Sequence, residues 1–174
     1  MIALARRSLV FPVVAALLAA ALGLLPGCGY SSGLQAPDGY TTVGVAIFSN
    51  DSKVPDLERN LHEFVAERVR DTVAAPLTTP DRADVVVQGR IIDFSRFAGT
   101  RGPDNELLES GVMIAVEAWL VDGRTGERLG SKVFAGQSVG YRIIETDGEE
   151  QSQARALSYL AEGLVLDLFA RHSH

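Results

Sequence analysis

Apolar and polar residues alternate along most of the chain, and the points where the period changes divide it into six elements. Between Tyr40 and Phe48, Val43, Val45 and Ile47 alternate with Thr42, Gly44 and Ala46, which predicts a strand with one face in a core. Ser49-Asn50-Asp51-Ser52 stops it. Over Pro55 to Val73 the spacing becomes helical: Leu57, Leu61, Phe64, Val65 and Val69 form an apolar stripe, and Glu58, Arg59, Glu63, Glu67, Arg68 and Arg70 take the other faces. Pro76 and Pro80 end this helix, and Asp84 leads into an apolar strand over Val85 to Phe94, with Val85, Val87, Gly89 and Ile91 on one side. Ser95 to Ser110 is polar and carries Gly99, Gly102 and Pro103, so it reads as a loop or as the extended arms of a hairpin. Val112, Ile114, Val116, Ala118 and Leu120 then point one way along a strand, and Met113, Ala115, Glu117, Trp119 and Val121 the other. Asp122-Gly123-Arg124-Thr125-Gly126 turns the chain into a partner strand over Leu129 to Tyr141. Asp147, with Glu150 three residues on, offers an N-cap and capping box for a second amphipathic helix marked by Leu157, Leu160, Ala161, Leu164, Val165 and Leu168.

The order β-α-β-β-β-α predicts an α+β fold: a two-layer α/β sandwich with two helices packed on one face of a four-stranded sheet. The opposite sheet face would carry Ile92, Phe94, Met113 and Trp119 among polar residues. That is more apolar surface than a solvated face needs, which makes these four the candidate partner contacts. The alternative is that Ser95 to Ser110 folds back to cover them.

Ahead of this domain stands a segment of another kind. Arg6 and Arg7 precede an apolar run from Leu9 to Leu25, and the run ends at Leu25-Pro26-Gly27-Cys28 with the only cysteine of the chain. A positive n-region, an apolar h-region and a small residue before a nucleophilic thiol form a lipoprotein signal. Pro26 stands where such signals usually carry Ala, Ser, Thr or Val. Cleavage of residues 1–27 would leave Cys28 as the lipid attachment residue, carrying diacylglycerol on its thiol and a further acyl chain such as palmitate on its amine. Each buried methylene adds about 0.8 kcal/mol of membrane affinity, so several chains anchor the protein nearly irreversibly. The other reading of Leu9 to Leu25 is an uncleaved anchor helix. Gly29 to Gly39, with Ser31, Ser32, Gly33 and Pro37, suits a tether over 28–39, and 40–174 is long enough for one domain.

Charge and chemistry narrow the function classes. Losing the signal removes two arginines and no acid, leaving a formal charge of −8, which argues against nucleic acid and makes any anion site local. His62 lies on the first helix, and His172 and His174 at the C-terminus, so no histidine pair is spaced to hold a metal. No serine stands in a Gly-x-Ser-x-Gly elbow, and no Gly-rich phosphate loop precedes a helix. Asp122 and Asp147 read as turn and cap residues. The expectation is a protein without catalytic residues, metal or cofactor.

Cys28-Gly29-Tyr30, the strand Val43-Gly44-Val45-Ala46-Ile47-Phe48-Ser49-Asn50, the helix after it, Ala83-Asp84-Val85-Val86-Val87-Gln88-Gly89 and the Asp122 to Gly126 turn together resemble the LPS-assembly lipoprotein (LptE) family across most of the mature chain. The resemblance implies a non-enzymatic outer-membrane lipoprotein facing the periplasm, which plugs and assists the LPS-translocating β-barrel (an LptD-like partner) and contacts lipopolysaccharide as it is inserted. Lipopolysaccharide phosphates call for arginine or lysine, bidentate where possible. Arg90, Arg96, Arg124, Arg128, Lys132 and Arg142 are the candidates, and the family's own basic positions do not map onto them one by one. The same β-α-β opening is similar to periplasmic lipoproteins that regulate cell-wall synthases or build secretion pores, which is the alternative function.

Overall fold

The structure, a computed structural model, describes residues 33–170. Cys28, His172, His174, the signal and residues 28–32 of the tether lie outside the described residues. The elements are β1 (Val43–Val45), β2 (Ser49–Asn50), α1 (Leu57–Thr72), β3 (Leu77–Thr78), β4 (Val85–Ala98), β5 (Glu109–Asp122), β6 (Arg128–Arg142) and α2 (Gly148–Ala170).

The sheet has six strands in the order β3-β1-β4-β5-β6, with β2 continuing along the same edge of β4 as β1. β1 runs parallel to β3 and β4, a pairing that needs a crossover, and α1 supplies it. β4, β5 and β6 form a long antiparallel meander. Both helices cover one face, as the periodicity predicts. Leu57, Leu61, Val65 and Val69 recur every fourth residue of α1 and are fully buried. They meet Val43, Val45, Val85, Val87 and Ile91 of the parallel strands, while Leu157, Leu160, Leu164, Leu168 and Phe169 of α2 sit over Val112, Ile114, Val116 and Leu120.

Two expectations are corrected and one alternative is decided. The sheet has six strands rather than four, because Leu77-Thr78 adds an edge strand and, after β1 ends at Val45, Ser49-Asn50 of the run expected to stop the strand pairs with β4 as β2. Ser95 to Ser110 takes the hairpin reading and does not fold back over the open face. It extends β4 and β5 into hairpin arms paired from Ser95↔Met113 to Ala98↔Ser110, with a further bridge between Arg101 and Leu107. Finally, Ile92 and Phe94 do not share the outer face with Met113 and Trp119. The register slips between Ile91 and Asp93, so Ile92 is an extra, bulged residue, and every later side chain of β4 changes face. Phe94 therefore packs, half-buried, against the helix-side core, whereas Phe97 lies on the outer face with its ring over Gly111.

Candidate functional site

The residues that make the chain resemble a family meet at two places, and both are joints of the fold. At one end of the sheet, Asp84 Oδ2 accepts hydrogen bonds from the N–H and the hydroxyl of Thr41 (3.0 and 2.6 Å) and from those of Thr42 (3.1 and 3.0 Å). The Asp84 N–H donates back to the Thr42 hydroxyl. This clasp fixes the parallel start of β1 against β4. The Thr41 hydroxyl is the largest cause that holds the Asp84 carboxyl at about 2, followed by the Thr41 N–H and the Thr42 hydroxyl. Beside it Asp122 closes the β5–β6 turn, accepting from the Arg124 and Thr125 N–H groups and from the Tyr40 hydroxyl. These hydrogen bonds, with Thr125 N–H the largest, lower the Asp122 pKa. Gly123 donates its N–H to the Asp84 carbonyl at 2.7 Å, and no Cβ fits there against Ala83.

At the second joint the Phe48 ring lies directly over Gly89, where a Cβ would collide with it and with the Glu117 carbonyl. Asn50 shapes the following loop: its amide donates to the Val54 carbonyl and to Glu58, and its oxygen accepts from Ser52. His62 reaches back from α1 to the Ala46 carbonyl at 3.3 Å. Its role is to tie the helix to the β1–β2 connection.

The face of the sheet away from the helices is open, and a buried carboxylate sits at its centre. Glu117 is 3% exposed. Its Oε1 accepts from Arg90 Nε at 2.7 Å and Lys132 Nζ at 2.9 Å, and Arg90 also reaches Asp51 at 3.4 Å. The Lys132 ammonium lies 4.7 Å from the centre of the Trp119 ring. The hydrogen bond from Lys132 is the largest cause that holds the Glu117 carboxyl below its ordinary value, with Arg90 adding to it and burial opposing both. Asp51, Arg90, Glu117 and Lys132 together carry no net charge. On the same face Phe134 (67% exposed) stands in register with Glu117, and farther along towards the hairpin come the exposed side chains of Met113 (42%) and Phe97 (40%). Trp119 is half-buried against Ala83, Val86 and Val121.

The six candidate basic residues do not converge. Arg90 and Lys132 share Glu117. Arg96 is bound to Glu149 at the start of α2, with its Nε 2.8 Å from Oε1, and stacks over Phe94. Arg124 and Arg128 flank the β5–β6 turn, while Arg142 pairs in register with Glu109 at the opposite end of β5. Sequence reasoning missed Glu117 as the organising group. Its signal was the one charged residue in a strand otherwise apolar from Val112 to Val121.

No family profile and no curated protein matches the chain by sequence. Solved structures match it by fold. A candidate lipoprotein from Caulobacter crescentus is 18% identical, covering 71% of this chain and 89% of its own, with a TM-score of 0.50. A hypothetical protein from Chlamydia trachomatis is 12% identical over 75% and 94%, with a TM-score of 0.51. A Xanthomonas campestris protein of the DUF330 family is 15% identical over 76% and 88%, with a TM-score of 0.50. The chain thus shares its fold with these three bacterial proteins, one of which is described as a lipoprotein.

Proposed function

We propose that this chain is a non-enzymatic lipoprotein of the bacterial outer membrane, anchored through Cys28, that plugs and assists the LPS-translocating barrel and contacts lipopolysaccharide. The observation that carries this reading is the open sheet face. It holds three exposed large apolar side chains on the same face as a charge-neutral ion cluster that is already paired. A surface of this kind is preorganised for docking, because little side-chain freedom remains to be lost on binding. The buried carboxylates are committed to structural partners, Glu117 to Arg90 and Lys132, and Asp122 to its turn. That supports binding rather than catalysis. With Arg90, Lys132 and Arg96 held in close pairs, and Arg124 only loosely paired with Asp122 at 3.9 Å, Arg124 and Arg128 at the turn are the better-placed contacts for lipid phosphate.

The test is affinity purification of C-terminally tagged protein from detergent-solubilised envelope. Near-stoichiometric recovery of an LPS-export barrel, reduced by Phe134→Glu, is the expected result. Recovery of a cell-wall synthase or a secretion component without a barrel overturns the reading in favour of the alternative. For the lipid contact, Arg124→Glu with Arg128→Glu should weaken retention on immobilised lipopolysaccharide. Unchanged retention removes the turn from the site.

A further inference from the structure

The two edges of the sheet are protected very differently. One edge is β3, two residues long and set between Pro76 and Pro80. Short strands and prolines are the usual means of keeping an edge from pairing with another chain. The other edge is β6, which is fifteen residues long, contains no proline, and pairs only with β5 among the described residues.

Part of β6 is closed at each end. Near its start the register slips between Ala118↔Val133 and Leu120↔Leu129, with Gly130 at φ 71°, so this stretch twists out of a regular ladder. Near its end α2 comes up to the strand, and the Gly140 carbonyl accepts a hydrogen bond from the Ser152 hydroxyl at 3.3 Å. Between these lies Phe134 to Val139, a window of ordinary strand length. The parity is fixed by the neighbouring residues. The Ile143 N–H donates to the Leu108 carbonyl across the β5 side, so odd-numbered residues direct their backbone inward. By the alternation of an antiparallel ladder, Phe134, Gly136 and Ser138 direct theirs outward. All three are exposed.

We propose that this window receives an extended, acidic segment of another protein as an added strand. Strand addition draws its affinity from such a row of outward main-chain groups. The acidic preference comes from charge: Lys132 is taken up by Glu117, but β6 also holds Arg128 and Arg142, one on each side of the window, and no acidic residue, in a chain whose formal charge is −6. The same asymmetry disfavours a second copy, because a two-fold pairing of β6 with itself brings the cations of both strands together. The small side chains of Gly136 and Ser138 leave room on the outer face beside Phe134 for an apolar residue of the incoming strand. The inference does not depend on which partner the lipoprotein serves.

The test is fluorescence anisotropy of the full chain in detergent, using a labelled, capped peptide of alternating glutamate and valine as the probe. Controls are the same peptide with lysine for glutamate and a version N-methylated at alternate amides. Binding of the glutamate peptide alone is expected, with a loss of about tenfold or more in Ser138→Pro, which removes one outward N–H that the fold does not use. Arg128→Glu with Arg142→Glu should reverse the preference towards the lysine peptide. Absence of glutamate-peptide binding, or binding that survives both N-methylation and Ser138→Pro, overturns the proposal. So does a concentration-dependent dimer of the unliganded chain that Ser138→Pro abolishes.

Discussion

At the scale of single residues, the fold depends on a few side chains whose replacement has defined consequences. Asp84 gathers Thr41 and Thr42 onto one carboxylate oxygen, and its carboxyl lies at about 2 when folded, against an ordinary aspartate value near 3.9. A depressed folded value contributes stability that is fully present above the unfolded pKa and is lost as pH falls through the folded one. Asp84 thus contributes to acid unfolding between about pH 4 and pH 2. Asp84→Asn should be less stable than wild type at pH 7, with the gap closing as pH approaches 2, measured by urea midpoints across pH. A gap that stays constant with pH would show that the carboxylate's charge is not what clasps β1. Gly89 is the second such position. Gly89→Ala places a methyl group against the Phe48 ring and the Glu117 carbonyl, and overpacking of this kind costs about 1–3 kcal/mol. Phe48→Leu in the same chain should recover part of that loss, and full additivity of the two would separate the sites. The Asp84 and Gly89 motifs were visible in the sequence, but their physical basis was not. They hold a parallel strand pair together, so their recurrence reports the fold and not a particular partner.

At the scale of elements, what could be read from the sequence followed the strength of the period. Both helices and the inward faces of β4 up to Ile91 and of β5 were legible, because each side chain on those faces has a core to fill. Strand β3 and the division of β1 from β2 were not, since two- and three-residue strands carry too few alternations to register. Phe97 to Glu109 at the tip of the hairpin is almost wholly exposed, so neither face there is driven to be apolar and its sequence resembles a loop. The bulge at Ile92 was hidden for a different reason. Ile91 and Ile92 are both apolar, and the parity of the strand reverses between them without a mark in the pattern. Parity gives a specific prediction. Deleting Ile92 makes Ile91↔Val116 and Asp93↔Ala115 consecutive pairs of a regular ladder and leaves Phe94 opposite Ile114 on the helix side. The deletion should therefore cost less in urea melts than Phe94→Ala, and Phe94→Ala should cost as much in the deleted chain as in wild type. If Phe94→Ala costs little in the deleted chain, the deletion has turned Phe94 out of the core and the register after Ile91 is not held by the β5 pairing.

At the scale of the whole molecule, the proposed function makes anchoring and docking separate devices. Among the described residues, the core and the side chains packed on it run from Leu34 to Phe169, and the expectation is that this core folds without the lipid. Cys28→Ser should leave the urea midpoint unchanged while moving the protein from the detergent phase to the aqueous phase in cloud-point partition. It should also reduce recovery of the proposed barrel partner, because an anchor would hold the domain in the partner's plane, and losing that proximity lowers effective concentration by about 10²-fold or more. Phe134→Glu acts differently. It leaves the anchor intact and places a charge at the most exposed apolar position of the open face, where an interface would have to bury it at a cost. Overexpression should therefore restore partner recovery for Cys28→Ser, since mass action replaces lost proximity when the docking face is unaltered, but not for Phe134→Glu. If overexpression rescues both variants equally, the open face contributes nothing beyond surface concentration, and the docking contact belongs elsewhere on the domain.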